Sequence, residues 1–156
     1  NWEVLASIYR QISGVAQNAL DFSLDGYGRA IQRDPLNPNL RLSVGGIYYS
    51  IKNYELATRF FADAASLKPD FANAHYNLAI AYRDNGQYDK ALVELTGVLS
   101  LVQKDSADYQ AVQKEIENVK SKAPAKAPAP VQTDNFSKSV LNDDYAWIAL
   151  IVPLTT

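Results

Sequence analysis

The sequence predicts an all-α solenoid of about three helix pairs plus a capping helix, followed by an extended C-terminal tail. Three observations carry that expectation. The chain is similar to itself at a shift of 34 residues; apolar residues recur at three- and four-residue spacing on both sides of a short polar break in each unit; and composition changes abruptly near residue 121.

Shifting the chain by 34 residues aligns Asn39 with Asn73, Tyr48 with Tyr82, Tyr54 with Tyr88, Ala57 with Ala91, Ser66 with Ser100 and Leu67 with Leu101. Similar apolar residues align as Val44 with Leu78 and Phe61 with Leu95, and small ones as Gly45 with Ala79. Each unit reads as two helices, broken at Lys52-Asn53 and at Asn85-Gly86-Gln87. The small residues Gly45, Ala57, Ala79 and Ala91 fall where paired helices must approach closely, and large residues fill the space beside them.

These residues resemble the tetratricopeptide repeat family, whose pattern has a bulky residue at position 4, Leu at 7, Gly or Ala at 8, Tyr at 11, Ala at 20, an aromatic at 24, Ala at 27 and Pro at 32. The second unit supplies Val44, Gly45, Tyr48, Ala57, Phe61, Ala64 and Pro69 from position 7 onward. The third supplies Leu78, Ala79, Tyr82, Ala91 and Leu95, then departs with Val98 and Gln103. The resemblance implies a right-handed helical solenoid.

In the opening stretch, Trp2, Leu5, Ala6 and Tyr9 have the spacing of the family's first helix, and Tyr27, Ala30 and Pro35 that of its second, with about five extra residues between. We read it as a first repeat with a lengthened turn around ISGVAQNALD; two ordinary helices beside two repeats are the alternative. The stretch is also similar to the repeat region of bacterial O-antigen-ligase-like envelope proteins. The units are then 1–37, 38–71 and 72–105. A capping helix over 106–120 places Tyr109, Val112, Ile116 and Val119 on one stripe, apolar toward the last repeat and polar elsewhere. Residues 121–142 form a Pro/Ala-rich and polar linker that favours extended conformations. Residues 143–156 hold the apolar run Tyr145–Val152, followed by Pro153.

Composition narrows function. With 15 Lys plus Arg against 17 Asp plus Glu, nothing electrostatic points to nucleic acid or an anionic membrane. The absence of Cys excludes disulfides, thiolate zinc sites and a Cys nucleophile. The chain starts at Asn1 and contains no Met, so we expect a processed N-terminus or a piece of a longer protein, and an extracellular or cell-envelope location. No stretch reaches the roughly 18 apolar residues of a membrane span.

Nothing in the sequence calls for an enzyme, a cofactor or a metal. His75, the one His, stands at position 4 of the third unit, where the family keeps a packing residue. Asp143 and Asp144 read as a solvated boundary, because paired catalytic carboxylates need fixed separation and contrasting environments. Gly26-Tyr27-Gly28 follows no strand, so it is no phosphate loop.

What the resemblance implies instead is a concave groove built by the first helix of each pair, with ligands touching positions 2, 5, 6, 9, 12 and 13. In the second unit these are Asn39, Leu42, Ser43, Gly46, Tyr49 and Ser50; in the third they are Asn73, Tyr76, Asn77, Ile80, Arg83 and Asp84. A basic clamp for a peptide's terminal carboxylate is not expected, since only Asn77 matches any part of it.

The tail supplies the leading functional expectation. Tyr145, Trp147, Ile148, Leu150, Ile151 and Val152 would each contribute about 1.5–3 kcal/mol when fully buried, and the run is β-branched or aromatic enough to dock as an extended segment. Three readings of the run compete: docking on its own domain, docking on another copy or protein, and the truncated beginning of a membrane anchor, which would need about twice the apolar length. We expect an exported, non-enzymatic structural module that self-assembles head to tail into a filament through this tail. Asn135 in the sequon Asn135-Phe136-Ser137, with Thr133, Ser137 and Ser139 beside the Pro-rich stretch, marks sites for glycosylation. The alternative is a monomeric peptide-binding adaptor or the soluble part of an envelope membrane protein.

Overall fold

The computed structural model describes residues 2–11 and 18–123. They belong to the unit Asn1–Ala123; the second unit is Pro124–Thr156. The tail residues Tyr145, Trp147, Ile148, Leu150, Ile151 and Val152, and the modification candidates Thr133, Asn135, Ser137 and Ser139, lie outside the described residues, as do residues 12–17 of the lengthened first turn.

Seven helices and no strand occur among the described residues: α1 (Trp2–Gln11), α2 (Ala19–Arg33), α3 (Pro38–Ser50), α4 (Tyr54–Leu67), α5 (Ala72–Asp84), α6 (Tyr88–Leu101) and α7 (Ala107–Lys122). Local chemistry sets their limits. Pro38 opens α3, where its missing N–H costs nothing, and Asn37 caps that helix by accepting from the Asn39 amide at 3.1 Å. Asn53 caps α4 through the Leu56 amide and Ser106 caps α7 through the Tyr109 amide, each at 3.1 Å.

The turns that end α3 and α5 share one hydrogen-bond frame. Lys52 N–H donates to Tyr49 and Asn53 N–H to Tyr48; Gly86 N–H donates to Arg83 and Gln87 N–H to Tyr82, a double closure that needs a left-handed residue after the helix. Gly86 fills that place at φ 75° without strain, whereas Lys52 holds it at φ 61°.

Neighbouring helices pair as α1 with α2, α3 with α4 and α5 with α6, and the pairs join through α2 and α3, α4 and α5, and α6 and α7. Inside a pair, small residues set the approach. Ala57, Ala64, Ala79 and Ala91 are fully buried. A Cβ placed on Gly45 would stand 2.5 Å from the Phe61 ring, so only glycine fits opposite that aromatic, while the third unit sets Ala79 against the smaller Leu95. In the first pair Ala6 meets Gly26, and the buried Ser23 hydroxyl donates to the Ala6 carbonyl at 2.8 Å. Ser23 stands where Ala57 and Ala91 stand in the later units.

Between pairs, position 7 of α3, α5 and α7 and position 10 of α3 and α5 bury against the preceding second helix. Val44 and Ile47 of α3 pack with Tyr27 and Ala30 of α2. Leu78 and Ala81 of α5 pack with Ala57 and Phe61 of α4, and Val112 of α7 with Leu95 and Val98 of α6. The core is therefore a series of small stacked clusters rather than one centre, as expected for a solenoid whose contacts are between neighbours.

Candidate functional site

The first helices α3, α5 and α7 carry the candidate groove. Its residues at the helix ends are not loose. The Tyr49 hydroxyl of α3 donates to Asp84 Oδ2 of α5 at 2.5 Å. Arg83 donates to the same carboxylate through Nε at 2.7 Å and through Nη2 at 3.0 Å, and its Nη1 donates to Glu115 of α7. Glu115 in turn accepts from Asn118 Nδ2 at 3.1 Å. One polar chain thus ties α3, α5 and α7 together.

The electrostatics follow from that chain. Burial pushes the Tyr49 phenol up to about 12, helped by its hydrogen bond to Asp84 and by that carboxylate's charge. Asp84 is held below the usual carboxylate range by hydrogen bonding from Arg83, against the opposing effect of its own burial. Arg83 is held still more firmly protonated by its hydrogen bond to Asp84, against its own burial, with Glu115 adding to the effect. Near neutral pH the chain consists of a neutral phenol, a carboxylate and a guanidinium.

The other groove candidates divide. Asn77 Nδ2 donates to the Asn73 carbonyl at 2.8 Å and to Asn73 Oδ1 at 2.7 Å, and Asn73 is exposed. Leu42 turns into the junction between the second and third units, against Ala57, Phe61 and Leu78. Gly46 lies beside open space, Ser50 Oγ donates to the Ile47 carbonyl at 2.7 Å, Ile80 and Ser43 are half-buried, and Asn39 is exposed in the first turn of α3. His75 is a tie between elements: Nδ1 lies 2.7 Å from Glu94 Oε2 on α6 and Nε2 3.1 Å from the Pro69 carbonyl.

Asn73 and Tyr76 meet a cavity of about 520 Å³ completed by Ala72, Val98, Val102, Asp108, Ala111 and Val112. Tyr76 packs on the same core as Leu95 and Val112, and burial, seconded by the Glu115 charge, raises its phenol. Sequence reasoning missed the α7 side of this cavity. The signal was available: a further shift of 34 residues places Ala111 under Asn77, Val112 under Leu78 and Ile116 under Tyr82, so α7 continues the register of the first helices as well as capping them.

Among the described residues no group of three or more His, Cys, Asp or Glu is placed to hold a metal ion, and no helix is long and apolar enough to cross a membrane.

The fold and this surface define a tetratricopeptide-type helical solenoid. Residues 52–116 match the family model of the tetratricopeptide repeat. The chain is 30% identical over 70 residues to a probable UDP-N-acetylglucosamine–peptide N-acetylglucosaminyltransferase of Arabidopsis thaliana, a match covering 45% of this chain and 7% of that protein. The first tetratricopeptide domain of Spaghetti (RPAP3), bound to an HSP90 peptide, superposes with a TM-score of 0.63 at 19% identity, covering 77% of this chain and 93% of that one. The type III secretion translocator chaperone SycD of Yersinia enterocolitica gives 0.65 at 15%, over 77% and 83% of the two chains. The TPR2B domain of yeast Sti1 in a pHsp70 complex gives 0.62 at 17%, over 78% and 92%. At these identities the solved structures share the fold alone with this chain.

Proposed function

We propose that the chain is a peptide-binding module that holds an extended segment of a partner protein across α3, α5 and α7, seating one apolar side chain between α5 and α7. The cavity walled by Tyr76, Val98, Val102, Ala111 and Val112 carries this reading, because it is apolar, open to the groove and large enough for a side chain. Support comes from two of the solved relatives, one bound to an HSP90 peptide and one in a pHsp70 complex. The partner differs in charge from an acidic peptide end. Positions 2, 5 and 6 hold Asn39, Leu42 and Ser43 in one unit and Asn73, Tyr76 and Asn77 in the next, Arg83 is engaged by Asp84 and Glu115, and Asp108 stands at the cavity. A neutral or basic segment with a large apolar residue fits best.

The test is a peptide array with apolar anchors, followed by titration of the strongest binder. Tyr76→Ala should weaken binding about tenfold, or about 1.4 kcal/mol, with helicity unchanged, and Ala111→Phe should block the cavity. Amidating the peptide's terminal carboxylate should change nothing. An affinity indifferent to both substitutions sinks the assignment.

A second reading, an exported subunit that self-assembles through Tyr145–Val152, rests on the sequence of that run. Light scattering before and after deletion of 143–156 tests it: a full-length chain that stays monomeric at high concentration ends it.

A further inference from the structure

The carboxylates of the polar chain and of the cavity beside it differ in what they still offer a ligand. Asp84 accepts from Tyr49 and twice from Arg83, and Glu115 accepts from Arg83 and Asn118, so both are spent on tying α3, α5 and α7 together. Asp108 is different. It lines the cavity, it is exposed, and it makes no hydrogen bond or ion pair among the described residues. It is also the one charge among the described residues that line the cavity. Its place in the first turn of α7, behind the Ser106 cap, favours the anion there and gives it a structural use as well.

An extended ligand brings a definite side chain to that carboxylate. Alternate residues of an extended segment face the same way and stand about 7 Å apart. With an apolar anchor seated in the cavity, the side chain two positions before or after it therefore reaches the rim that Asp108 shares. A Lys or Arg there gains a charge-assisted hydrogen bond, and its methylene stem covers apolar rim. An acidic residue there meets a like charge, and Arg83, which could have compensated, is already held by two carboxylates. The next charges of α7 in the groove register, Lys114 and Glu117, lie about 9 and 14 Å further along the helix and are of opposite sign.

We propose that Asp108 is a specificity-determining residue of the groove: it selects partner segments that carry Lys or Arg two residues from the apolar anchor, and it rejects those with Asp or Glu there. The inference rests on the peptide-binding reading above, and adds to it the charge the partner carries and the residue that reads it.

The probe is the strongest apolar-anchor peptide, made with Lys, acetyl-lysine or Glu two residues before the anchor and again two residues after it, and titrated into the full chain. On one side the Lys form should bind about threefold to fivefold tighter than the acetyl-lysine form at low salt, with the Glu form weakest and the differences shrinking as salt is added. Asp108→Asn should remove the difference between Lys and acetyl-lysine, and Asp108→Lys should reverse the order of Lys and Glu. A purely structural role at the start of α7 would lower the melting temperature of Asp108→Asn and leave the ratios among the three peptides as they were. Equal affinity for the three forms, or a Lys preference that survives Asp108→Asn, overturns the proposal. If Tyr76→Ala still weakens all three forms alike, the peptide-binding reading outlives it; peptides indifferent to Tyr76→Ala remove both. Both also fall if binding appears only after removal of 124–156, or if the mass doubles with concentration and returns to the monomer in Ala111→Phe, since this chain or a second copy then fills the cavity.

Discussion

Gly45 and Phe61 are matched by size, and the match is specific to their pair. Adding a methyl group to Gly45 forces the buried Phe61 ring to move, so Gly45→Ala should destabilise the fold by about 1–3 kcal/mol. The third unit supplies the remedy, because Ala79 already lives opposite Leu95. Gly45→Ala with Phe61→Leu should recover part of the loss, giving a coupling of about 1 kcal/mol in a denaturation cycle; strict additivity would refute the size argument. Tyr49 gives a second residue-scale expectation. Its phenol is raised, so the stability it adds is fully present below the ordinary value of 10.0 and is lost as pH rises through about 12. Asp84 is lowered, so its contribution is present above the ordinary 3.8 and is lost as pH falls through its lower folded value. The stability difference between the native chain and Tyr49→Phe, about 1 kcal/mol for a hydrogen bond of this kind, should therefore stay level between those limits and shrink toward strong alkali.

At the scale of the element, the two internal turns differ only in how well each residue suits its place, and each turn shows the other's deficit. Lys52 holds a left-handed conformation that Gly86 holds freely. Lys52→Gly should relieve up to about 1 kcal/mol, less the added freedom of glycine in the unfolded chain. Asn53 caps α4, while its counterpart Gln87 makes no cap and leaves Oε1 buried without a partner. Gln87→Asn should stabilise α6 by about 0.5–1 kcal/mol. Thermal melts of the two single variants and of the pair check both, and no gain from either would count against this repeat-to-repeat reading. The helices and their pairing were legible in the sequence because side-chain size and a 34-residue shift report them directly. The first pair was harder to read, since Ser23 replaces the expected Ala and extra residues separate its helices. The groove was only partly legible. Tyr49, Arg83 and Asp84 stood at the right positions, but that they bind one another depends on side-chain directions that spacing does not encode, and α7, read by its polarity alone, concealed the wall formed by Ala111 and Val112.

For the solenoid unit taken whole, stability is a sum over junctions, and the junctions are unequal. Ala6 is the one buried residue of α1, whereas α4 buries Ala57, Thr58, Phe61, Ala64 and Ala65. Hydrogen exchange should therefore be fastest in α1 and slowest in α4 to α6, with α1 opening without the rest; uniform protection would show a single cooperative block instead.

The unlike fillings of the second and third pairs also constrain how such a chain can be rearranged. An exchange that joined α3 to α6 would set Gly45 against Leu95 and leave a void, and one that joined α5 to α4 would drive Ala79 into Phe61. Whole helix hairpins are therefore the units that duplication or grafting can move intact, and a crossover placed inside a hairpin would produce a mismatched lock and key.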